Sequence, residues 1–220
     1  MSPPRKTLLS WSSGKDSAWT LHVLRQRGVE VVGLVTTVNE TFARVAMHAV
    51  RETLLERQAE AAGLPLWRVS IPHRCSNEEY EKAVGGAIGR ARAEGILAIA
   101  FGDLFLADIR AYREKQLAGT GVEPLFPIWG RPTPALAREM VTAGVRARIT
   151  CVDPKQMPRD FIGRTFDGDL LDELPEGVDP CGERGEFHTF CCAGPMFREP
   201  IEVVLGEITE RDGFVFADLR

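Results

Sequence analysis

The sequence has no long uninterrupted apolar segment. Its longest apolar run covers residues 96–101, which is far short of the roughly 20 residues that a membrane helix needs. The first six residues are largely polar, and no apolar stretch follows them that could form the core of a signal peptide. These absences predict a cytoplasmic protein that does not enter a membrane.

An excess of positive charge is also missing. The chain has 27 Lys and Arg residues against 31 Asp and Glu residues, which gives a formal net charge of -4. A protein that binds nucleic acid through its backbone phosphates usually presents a broad basic surface. Nucleic acid is therefore not an expected partner, although a local basic patch is compatible with this composition.

Cysteine is scarce, and its spacing is uninformative. The five cysteines are scattered and include no C-x-x-C pair, so they do not resemble a secreted disulfide framework. Cys181, His188, Cys191 and Cys192 could be drawn as a zinc site, but two adjacent cysteines cannot easily face one tetrahedral ion. We interpret the cysteines as buried or idle thiols.

Two common nucleotide-binding motifs, G-x-x-x-x-G-K-[ST] and G-x-G-x-x-G, are absent. Instead, residues 7–19 combine a short apolar strand, the loop S-S-G-K-D-S and the start of a helix. The hydroxyls of Ser12, Ser13 and Ser17 could donate to one anion together with the N–H groups of the helix start. Gly14 would let the backbone approach that anion closely. Residues 12–17 thus predict a phosphate cradle; the alternative is a serine-rich cap on an ordinary helix.

The pattern of apolar residues predicts an α/β fold with an open, mostly parallel, doubly wound sheet. The candidate strands are residues 7–11, 30–35, 66–71 and 96–101, and the candidate helices are residues 18–26, 45–62 and 77–93. Ligands of such sheets bind beyond the carboxyl ends of the strands, where the strand order reverses. Thr36 and Thr37 follow the second strand, and Gly102 and Asp103 follow the fourth. Ordinary loop chemistry is the alternative explanation for both pairs.

Beyond residue 126 the sequence becomes rich in proline. Residues 145–151 alternate as a half-buried strand does, and residues 201–208 and 214–217 flank Asp212-Gly213, a hairpin turn signal. We predict an α/β domain that carries the phosphate cradle at residues 1–128 and a smaller, loop-rich, substrate-side region at residues 129–220. The hairpin edge would allow a homo-oligomer.

A second polar segment covers residues 179–189. Glu183, Glu186, His188 and Thr189 lie there within a few residues of two glycines. Such side chains could orient a substrate, bind Mg²⁺ indirectly or move a proton, since histidine titrates near neutrality. The alternative is a tight glycine turn with solvated carboxylates.

The S-S-G-K-D-S loop resembles the pyrophosphate loop of N-type ATP pyrophosphatases, which split ATP into AMP and pyrophosphate. The pattern E-x-G-E-F-H-T at residues 183–189 and Gly102-Asp103 followed by D-I-R-A-Y-R at residues 108–113 extend the likeness. Together these motifs are similar to the diphthine–ammonia ligase family, whose known members catalyse the last amidation of diphthamide synthesis on elongation factor 2. The resemblance covers about residues 7–197, including residues 36–48 and 56–60.

The resemblance implies a HUP-like fold, ATP and Mg²⁺ as cofactors, and a role for each matching residue. Nucleotide contacts are implied for Ser12, Ser13, Gly14, Lys15, Asp16, Ser17, Thr36, Thr37, Gly102 and Asp103. Catalysis is implied for Lys15, Asp16, Glu183, Glu186 and His188, with Asp16 as the metal ligand. Acceptor binding is implied for Arg113, Glu183, Glu186, His188 and Thr189.

Two positions depart from the family pattern, and three histidines remain. Ser13 and Arg184 stand where the family usually has glycine, so we expect an ordinary backbone angle at each. Of the remaining histidines, His22 is expected to be structural and His73 to lie in a loop. His48 is a site candidate by resemblance only.

The implied reaction adenylates a carboxylate, so that AMP becomes the leaving group when ammonia attacks. Ser2 stands where an N-terminal-nucleophile glutaminase would need cysteine, so free ammonia or a separate amidotransferase is the expected source. The acceptor, protein-bound or small, stays open. Two other functions are compatible with the motifs: a nucleotide-binding sensor without transfer chemistry, and an RNA-modifying enzyme.

Overall fold

The computed structural model of the protein describes residues 5–39, 44–45, 50–72 and 75–220. His48 and His73 lie outside the described residues, as does much of the stretch 36–48 that carries part of the family resemblance. Where helices are described, none is long and apolar enough to cross a bilayer.

The amino-terminal part contains a sheet of five parallel strands with one short antiparallel strand. Its strands are β1 (Thr7–Ser10), β2 (Val31–Asn39), β3 (Arg44–Val45), β4 (Leu66–Ile71), β5 (Ala98–Ala100) and β6 (Glu123–Leu125). The helices that connect them are α1 (Lys15–Gln26), α2 (Glu52–Ala62), α3 (Asn77–Ala93) and α4 (Ala107–Leu117). The parallel strands lie in the order β4-β2-β1-β5-β6, and β3 pairs antiparallel with β2. The predicted fold class is confirmed, and the order reverses between β1 and β5, where a ligand is expected.

Two boundaries in the amino-terminal part differ from the predicted ones by more than three residues. The second strand continues to Asn39 because its later half pairs with the whole of β4, so Thr36 and Thr37 lie within the strand rather than after it. The helix predicted from residue 45 begins at Glu52 instead. Val45 lies in β3 opposite Val38, and an extended backbone cannot also start a helix.

The carboxyl-terminal part forms a four-stranded antiparallel sheet. Its elements are α5 (Thr133–Thr142), β7 (Arg146–Val152), a 3-10 turn (Arg159–Phe161), α6 (Gly168–Glu173), β8 (Phe187–Ala193), β9 (Leu205–Arg211) and β10 (Phe214–Leu219). The strands lie in the order β8-β7-β10-β9. The predicted hairpin is confirmed: Asp212 and Gly213 have φ angles of 53° and 82°, as a tight turn with two left-handed residues requires. The region is less loop-rich than predicted, because β8 had not been expected.

The two sheets share one hydrophobic core. Buried residues of the first sheet and its connections, such as Leu9 and Trp11, belong to the same apolar cluster as Ile149 and Phe190 of the second. The contact is direct at the start of α1, where the Cys191 N–H of β8 donates to a carbonyl of the loop after β1, 2.9 Å away. The second sheet therefore lies against the loop at which the nucleotide site was predicted. The division at residues 128 and 129 stays a prediction.

Candidate functional site

A polar cavity of about 260 Å³ lies at the carboxyl ends of β1 and β5, between the two sheets. It brings together residues that are far apart in the sequence. The predicted site residues that line it are Ser12, Gly14, Lys15, Asp16, Ser17, Gly102, Asp103, Arg113, Glu183, His188 and Thr189. The cradle and the second polar segment thus face one another across one cavity.

Ser13 departs from its predicted conformation. Its φ is 70°, in the left-handed region that an L-residue with a β-carbon seldom occupies. The expectation of an ordinary angle was therefore wrong. Ser13 is fully buried and does not line the cavity, and its hydroxyl has no hydrogen-bond partner among the residues described. The predicted donation from this hydroxyl to a phosphate is not supported.

The remaining cradle residues hold each other in place. The Ser12 hydroxyl accepts from the Gly14 N–H at 3.3 Å and lies 3.2 Å from the Ser17 hydroxyl. Gly14 is the N-cap of α1 and offers no side chain to the amides of the first turn. A β-carbon on Gly14 would lie 3.3 Å from the carbonyl oxygen of Thr189. Gly14 therefore allows close contact with β8 and leaves the helix start without a side-chain cap that would compete with an anion.

Lys15 is buried, and its ammonium is already bound. Its Nζ donates to Asp16 Oδ2 at 2.9 Å and to the Cys181 carbonyl, and it lies 5.4 Å and 5.3 Å from the ring centres of Phe166 and Phe187. Burial has the largest single effect and would lower the pKa of Lys15, but the neighbouring Asp16 carboxylate, Cys181 and Asp179 together raise the pKa above its ordinary value. The lysine is therefore a permanent cation that joins α1 to the carboxyl-terminal region.

Asp103 and Arg113 carry polar atoms that the protein leaves unsatisfied. Arg113 Nε lies 3.9 Å from Asp103 Oδ2, beyond hydrogen-bond distance, and its guanidinium stacks over Phe101 at 5.1 Å. Within the described chain these two atoms and Asp16 Oδ1 are buried without a hydrogen-bond partner. Buried polar atoms are normally paired, so all three are suited to contact a ligand in the cavity.

Gly102 has a packing role beside Asp103. A β-carbon on Gly102 would lie 3.1 Å from the backbone of Asp16 and Ser17. The missing side chain thus allows the end of β5 to approach the first turn of α1. Burial raises the pKa of Asp103; the Arg113 guanidinium opposes this effect, and the Asp16 carboxylate adds to it.

Glu183 connects the carboxyl-terminal turn to the loop after β5. Its Oε1 accepts from the Leu104 N–H at 2.7 Å. Burial raises the pKa of Glu183 to about 7; the Leu104 N–H opposes the rise, and the Asp16 and Asp103 carboxylates add to it. Glu183 is therefore a carboxyl group of this cavity that changes charge near neutral pH.

Glu186 lies elsewhere than predicted. It is 2% exposed and does not line the cavity. Its two carboxylate oxygens accept from the N–H groups of Asp179 and Arg184, each at 2.9 Å, and so tie the turn that carries Glu183. These hydrogen bonds give Glu186 a role in shaping this turn, and its expected direct role in catalysis and acceptor binding stays a prediction. The left-handed residues of the turn are Gly182 and Gly185, and Arg184 has an ordinary angle as predicted.

His188 and Thr189 belong to β8 rather than to a turn. Thr189 Oγ1 accepts from the Lys15 N–H at 3.1 Å, so it takes one amide of the helix start. Burial, and then the Lys15 ammonium, lower the pKa of His188 to about 4. The expectation that His188 titrates near neutrality was wrong, because its surroundings keep the imidazole neutral.

An apolar cavity of about 290 Å³ adjoins the polar one, and the two share Ser10, Ser12, Phe101 and Arg113. Thr36 and Thr37 line it, together with apolar residues of the sheet and of α3 and α4. These two threonines therefore lie beside the cradle without entering the polar cavity. One cavity is polar and the adjoining one is apolar, which matches the charged phosphates and the less polar nucleoside of a nucleotide.

Several residues of the site were not found from the sequence. Gln58 of α2 is fully buried behind the cradle, the Cys181 carbonyl accepts from Lys15, and Leu104 donates to Glu183. Backbone donors and acceptors leave no trace in side-chain chemistry, and Gln58 lies in a helix with charged neighbours where glutamine is common. Only its place within the matched stretch 56–60 could have singled it out.

An open α/β sheet with a phosphate loop at its switch point, facing titratable side chains, defines a class of nucleotide-dependent enzymes. The models that match this sequence describe the diphthamide synthase N-terminal domain, over residues 5–124, and the diphthamide synthase C-terminal domain, over residues 132–217. The chain belongs to the diphthamide synthase family.

Relatives of this chain include proteins named diphthine–ammonia ligase. The human protein is 27% identical over 94% of this chain and 85% of its own length. The zebrafish protein (Danio rerio) is 27% identical over 94% of this chain and 89% of its own length, and the rat protein is 26% identical. The chain is accordingly an enzyme of the ATP-dependent carbon–nitrogen ligase class.

Proposed function

We propose that this protein activates a carboxylate with ATP, releases pyrophosphate, and transfers the activated acyl group from AMP to ammonia. The observation that carries the proposal is the shared cavity: the loop that begins α1 lies directly opposite Glu183 and His188. The name of its relatives supports diphthine as the acceptor and ammonia as the amine. We infer a cytoplasmic location for the reaction from the sequence.

The phosphates of ATP are proposed to lie at the start of α1. Thr189 takes the Lys15 N–H, but the N-cap residue Gly14 offers no side chain to the other amides of the first turn, so these amides and the helix dipole attract an anion. Ser12 and Ser17 line the same cavity. Because the Lys15 ammonium is bound by Asp16 and Cys181, we propose that it stabilises this loop and contributes charge through its position rather than by direct donation.

Mg²⁺ fits the cradle through Asp16. In the described part of the chain no group of three or more His, Cys, Asp or Glu side chains is arranged to hold a metal ion. Mg²⁺ at phosphate sites is commonly held by one or two carboxylates, with phosphate oxygens and water completing its coordination. The unsatisfied Asp16 Oδ1 suits that arrangement, and Asp103, which also carries an unsatisfied oxygen, offers a second carboxylate in the cavity. When bound, the ion would offset the charge of the leaving pyrophosphate.

The nucleoside is proposed to occupy the apolar cavity. Thr36 and Thr37 of β2 line one wall, and Phe101 lies where the two cavities meet. A base and ribose placed there would leave the α-phosphate near Ser12 and Arg113, which border both cavities. Arg113, with its unsatisfied Nε, is proposed to hold the incoming carboxylate near the α-phosphorus.

The acceptor half of the reaction is assigned to Glu183 and His188. In the first step a carboxylate oxygen bonds to the α-phosphorus and the bond to the bridging oxygen of pyrophosphate breaks. In the second step ammonia bonds to the acyl carbon, AMP leaves, and the amine loses a proton. Glu183, with a pKa of about 7, is proposed to accept that proton. Neutral His188 is proposed to hydrogen-bond the acceptor, with Thr189 fixing β8 against the cradle.

The test is to incubate the protein with α-labelled ATP, Mg²⁺, ammonium and elongation factor 2 that carries diphthine. We expect AMP and pyrophosphate in equal amounts, together with the amide. ADP and orthophosphate as products would contradict cleavage between the α and β phosphates. Tight ATP binding without turnover on any carboxylate would instead favour a nucleotide sensor. Binding to tRNA that weakens steeply with salt would favour an RNA-modifying enzyme.

A further inference from the structure

The left-handed backbone at Ser13 must be held by its surroundings. A residue with a β-carbon is strained in this region, so the conformation persists only when neighbouring contacts fix it. Two contacts meet at its carbonyl oxygen, which accepts from the Cys191 N–H at 2.9 Å and from Gln58 Nε2 at 3.0 Å. The backbone angle of the cradle therefore depends on residues outside the cradle.

Gln58 is fully buried and uses its whole amide. Its Nε2 donates to the carbonyls of Ser13 and Cys191, the latter at 2.7 Å, and its Oε1 accepts from Trp11 Nε1 at 2.8 Å. An indole N–H can only donate and a carbonyl can only accept, so these partners fix which way the amide points. One side chain thus links α2, the residues on either side of Ser12, and β8.

We propose that Gln58 is a positioning residue for nucleotide binding, which holds the peptide between Ser13 and Gly14 in the conformation that the cradle needs. Gln58 lines neither cavity, so it acts through Ser13 and does not touch the nucleotide. The inference rests on the proposed function in one respect, that the cradle binds the phosphates of ATP. A glycine at position 13 would adopt the left-handed angle without help, so the need for Gln58 follows from the serine of this chain.

The alternative is that Gln58 serves only the stability of the core. Both roles predict a lower melting temperature when the amide is removed, because its partners become unsatisfied. They differ in what a second change at position 13 does. If Gln58 positions the loop, Ser13→Gly relieves the backbone cost and recovers nucleotide affinity, whereas a purely structural role gives no such coupling.

The experiment measures ATP binding by calorimetry, AMP formation, and thermal unfolding for Gln58→Leu in three backgrounds: Ser13, Ser13→Gly and Ser13→Ala. We expect Gln58→Leu to weaken ATP binding by roughly tenfold. Ser13→Gly should restore the affinity to within about threefold of the parent, while the melting temperature stays low. Ser13→Ala should restore nothing, because alanine keeps the β-carbon. The single Ser13 variants complete the cycle, and Glu60→Ala, at an exposed position of α2, is the matched control.

Unchanged ATP affinity in folded Gln58→Leu, or equal effects of Ser13→Gly and Ser13→Ala, would overturn the inference. If Gln58→Leu does not fold, Gln58→Glu keeps the acceptor for Trp11 while placing a carboxylate against the two carbonyls, and the same three backgrounds apply. Failure of the parent to form AMP would overturn the proposed function, while the binding data would still decide the role of Gln58.

Discussion

The two halves of the cavity are built in different ways. The cradle consists of six consecutive residues that turn from β1 into α1, so its chemistry is local and can be found in the sequence. The opposite half combines Glu183, which is held by the backbone of another loop, with His188 of a strand that lies against the cradle. Local segments reveal which groups are present, but the environment that sets their charge comes from distant residues. We therefore expect substitutions in the cradle and substitutions in the opposite half to affect different steps of the proposed reaction.

The largest effect is expected in the cradle, from Asp16→Asn. Asparagine can still accept from the Lys15 ammonium, but it lacks the charge that Mg²⁺ needs, so the fold should be kept while the metal contact is lost. We expect kcat/KM for AMP formation to fall by about 1000-fold, similar to the loss of one main charge-stabilising group. Steady-state kinetics at several Mg²⁺ concentrations measures the effect. The control is Asp172→Asn, at an exposed aspartate paired with Arg138. If Asp16→Asn turns over nearly as fast as the parent, the assignment of Asp16 as the Mg²⁺ contact is refuted.

A smaller effect, with a different pH dependence, is expected from Glu183→Gln in the opposite half. The carboxyl group must be deprotonated to act as a base, and its pKa is about 7, so the rate of the parent should rise with pH through this value. The variant should lose about 100-fold in kcat and the rise near pH 7, with little change in ATP affinity. Amide formation between pH 5.5 and 9 measures this. If the rise survives in the variant, another group acts as the base.

The same residue predicts how the stability depends on pH. The pKa of Glu183 is raised from its ordinary value of 4.5 to about 7 in the folded protein. Its contribution to stability is therefore fully present below pH 4.5 and is lost as the pH rises through 7. Glu183→Gln should remove this loss, so the variant should gain stability relative to the parent between pH 5 and 8. Chemical denaturation across this range measures the difference, and a parallel decline of both proteins would contradict it.

Glu186→Gln should affect stability more than the reaction. An amide has one acceptor oxygen for the two N–H groups that Glu186 now accepts from, so one of them would be left unsatisfied at a cost of about 1–3 kcal/mol. We expect a melting temperature lower by several degrees and ATP affinity like that of the parent. Thermal unfolding and calorimetry test this, with exposed Glu173→Gln as the control. Loss of turnover without loss of stability would return Glu186 to a direct role.

The smallest effect is expected from Cys192→Ser. The thiol donates to the Arg146 carbonyl at 3.2 Å, a contact that a serine hydroxyl can keep. We expect turnover within about twofold of the parent, as for most substitutions away from a site. Activity assays under reducing and oxidising conditions measure it. A large loss would indicate that this thiol takes part in the reaction, contrary to its interpretation as an idle thiol.

Much of the fold could be predicted from the sequence, because the strands of a buried parallel sheet form continuous apolar runs, as residues 96–101 do around β5. Among the elements that were missed, α4 and β8 escaped prediction for opposite reasons. The helix α4 has only Leu117 fully buried and shows almost no apolar face. The strand β8 is buried on both sides, so Phe187–Ala193 lacks the alternation that identifies a half-buried strand.

The sequence predicted which residues line the cavity better than it predicted their pKa values. Burial lowers the pKa of His188 and raises that of Glu183, so the glutamate rather than the histidine titrates near neutrality. Neither shift can be derived from neighbours in the sequence. The backbone φ angle at Ser13 could not be predicted from the sequence either. The two groups that donate to its carbonyl oxygen belong to Gln58 and Cys191, which are distant in the sequence.

The burial of Lys15 has a consequence for how the protein is made. Its ammonium needs the Cys181 carbonyl and the rings of Phe166 and Phe187, all of which are synthesised long after α1. A chain still attached to the ribosome with only its first 130 residues exposed can form the sheet of strands β1 to β6. The Lys15 ammonium would then have Asp16 beside it but would lack the Cys181 carbonyl and the two rings. We expect nucleotide binding to appear late in translation, once β8 has emerged from the exit tunnel.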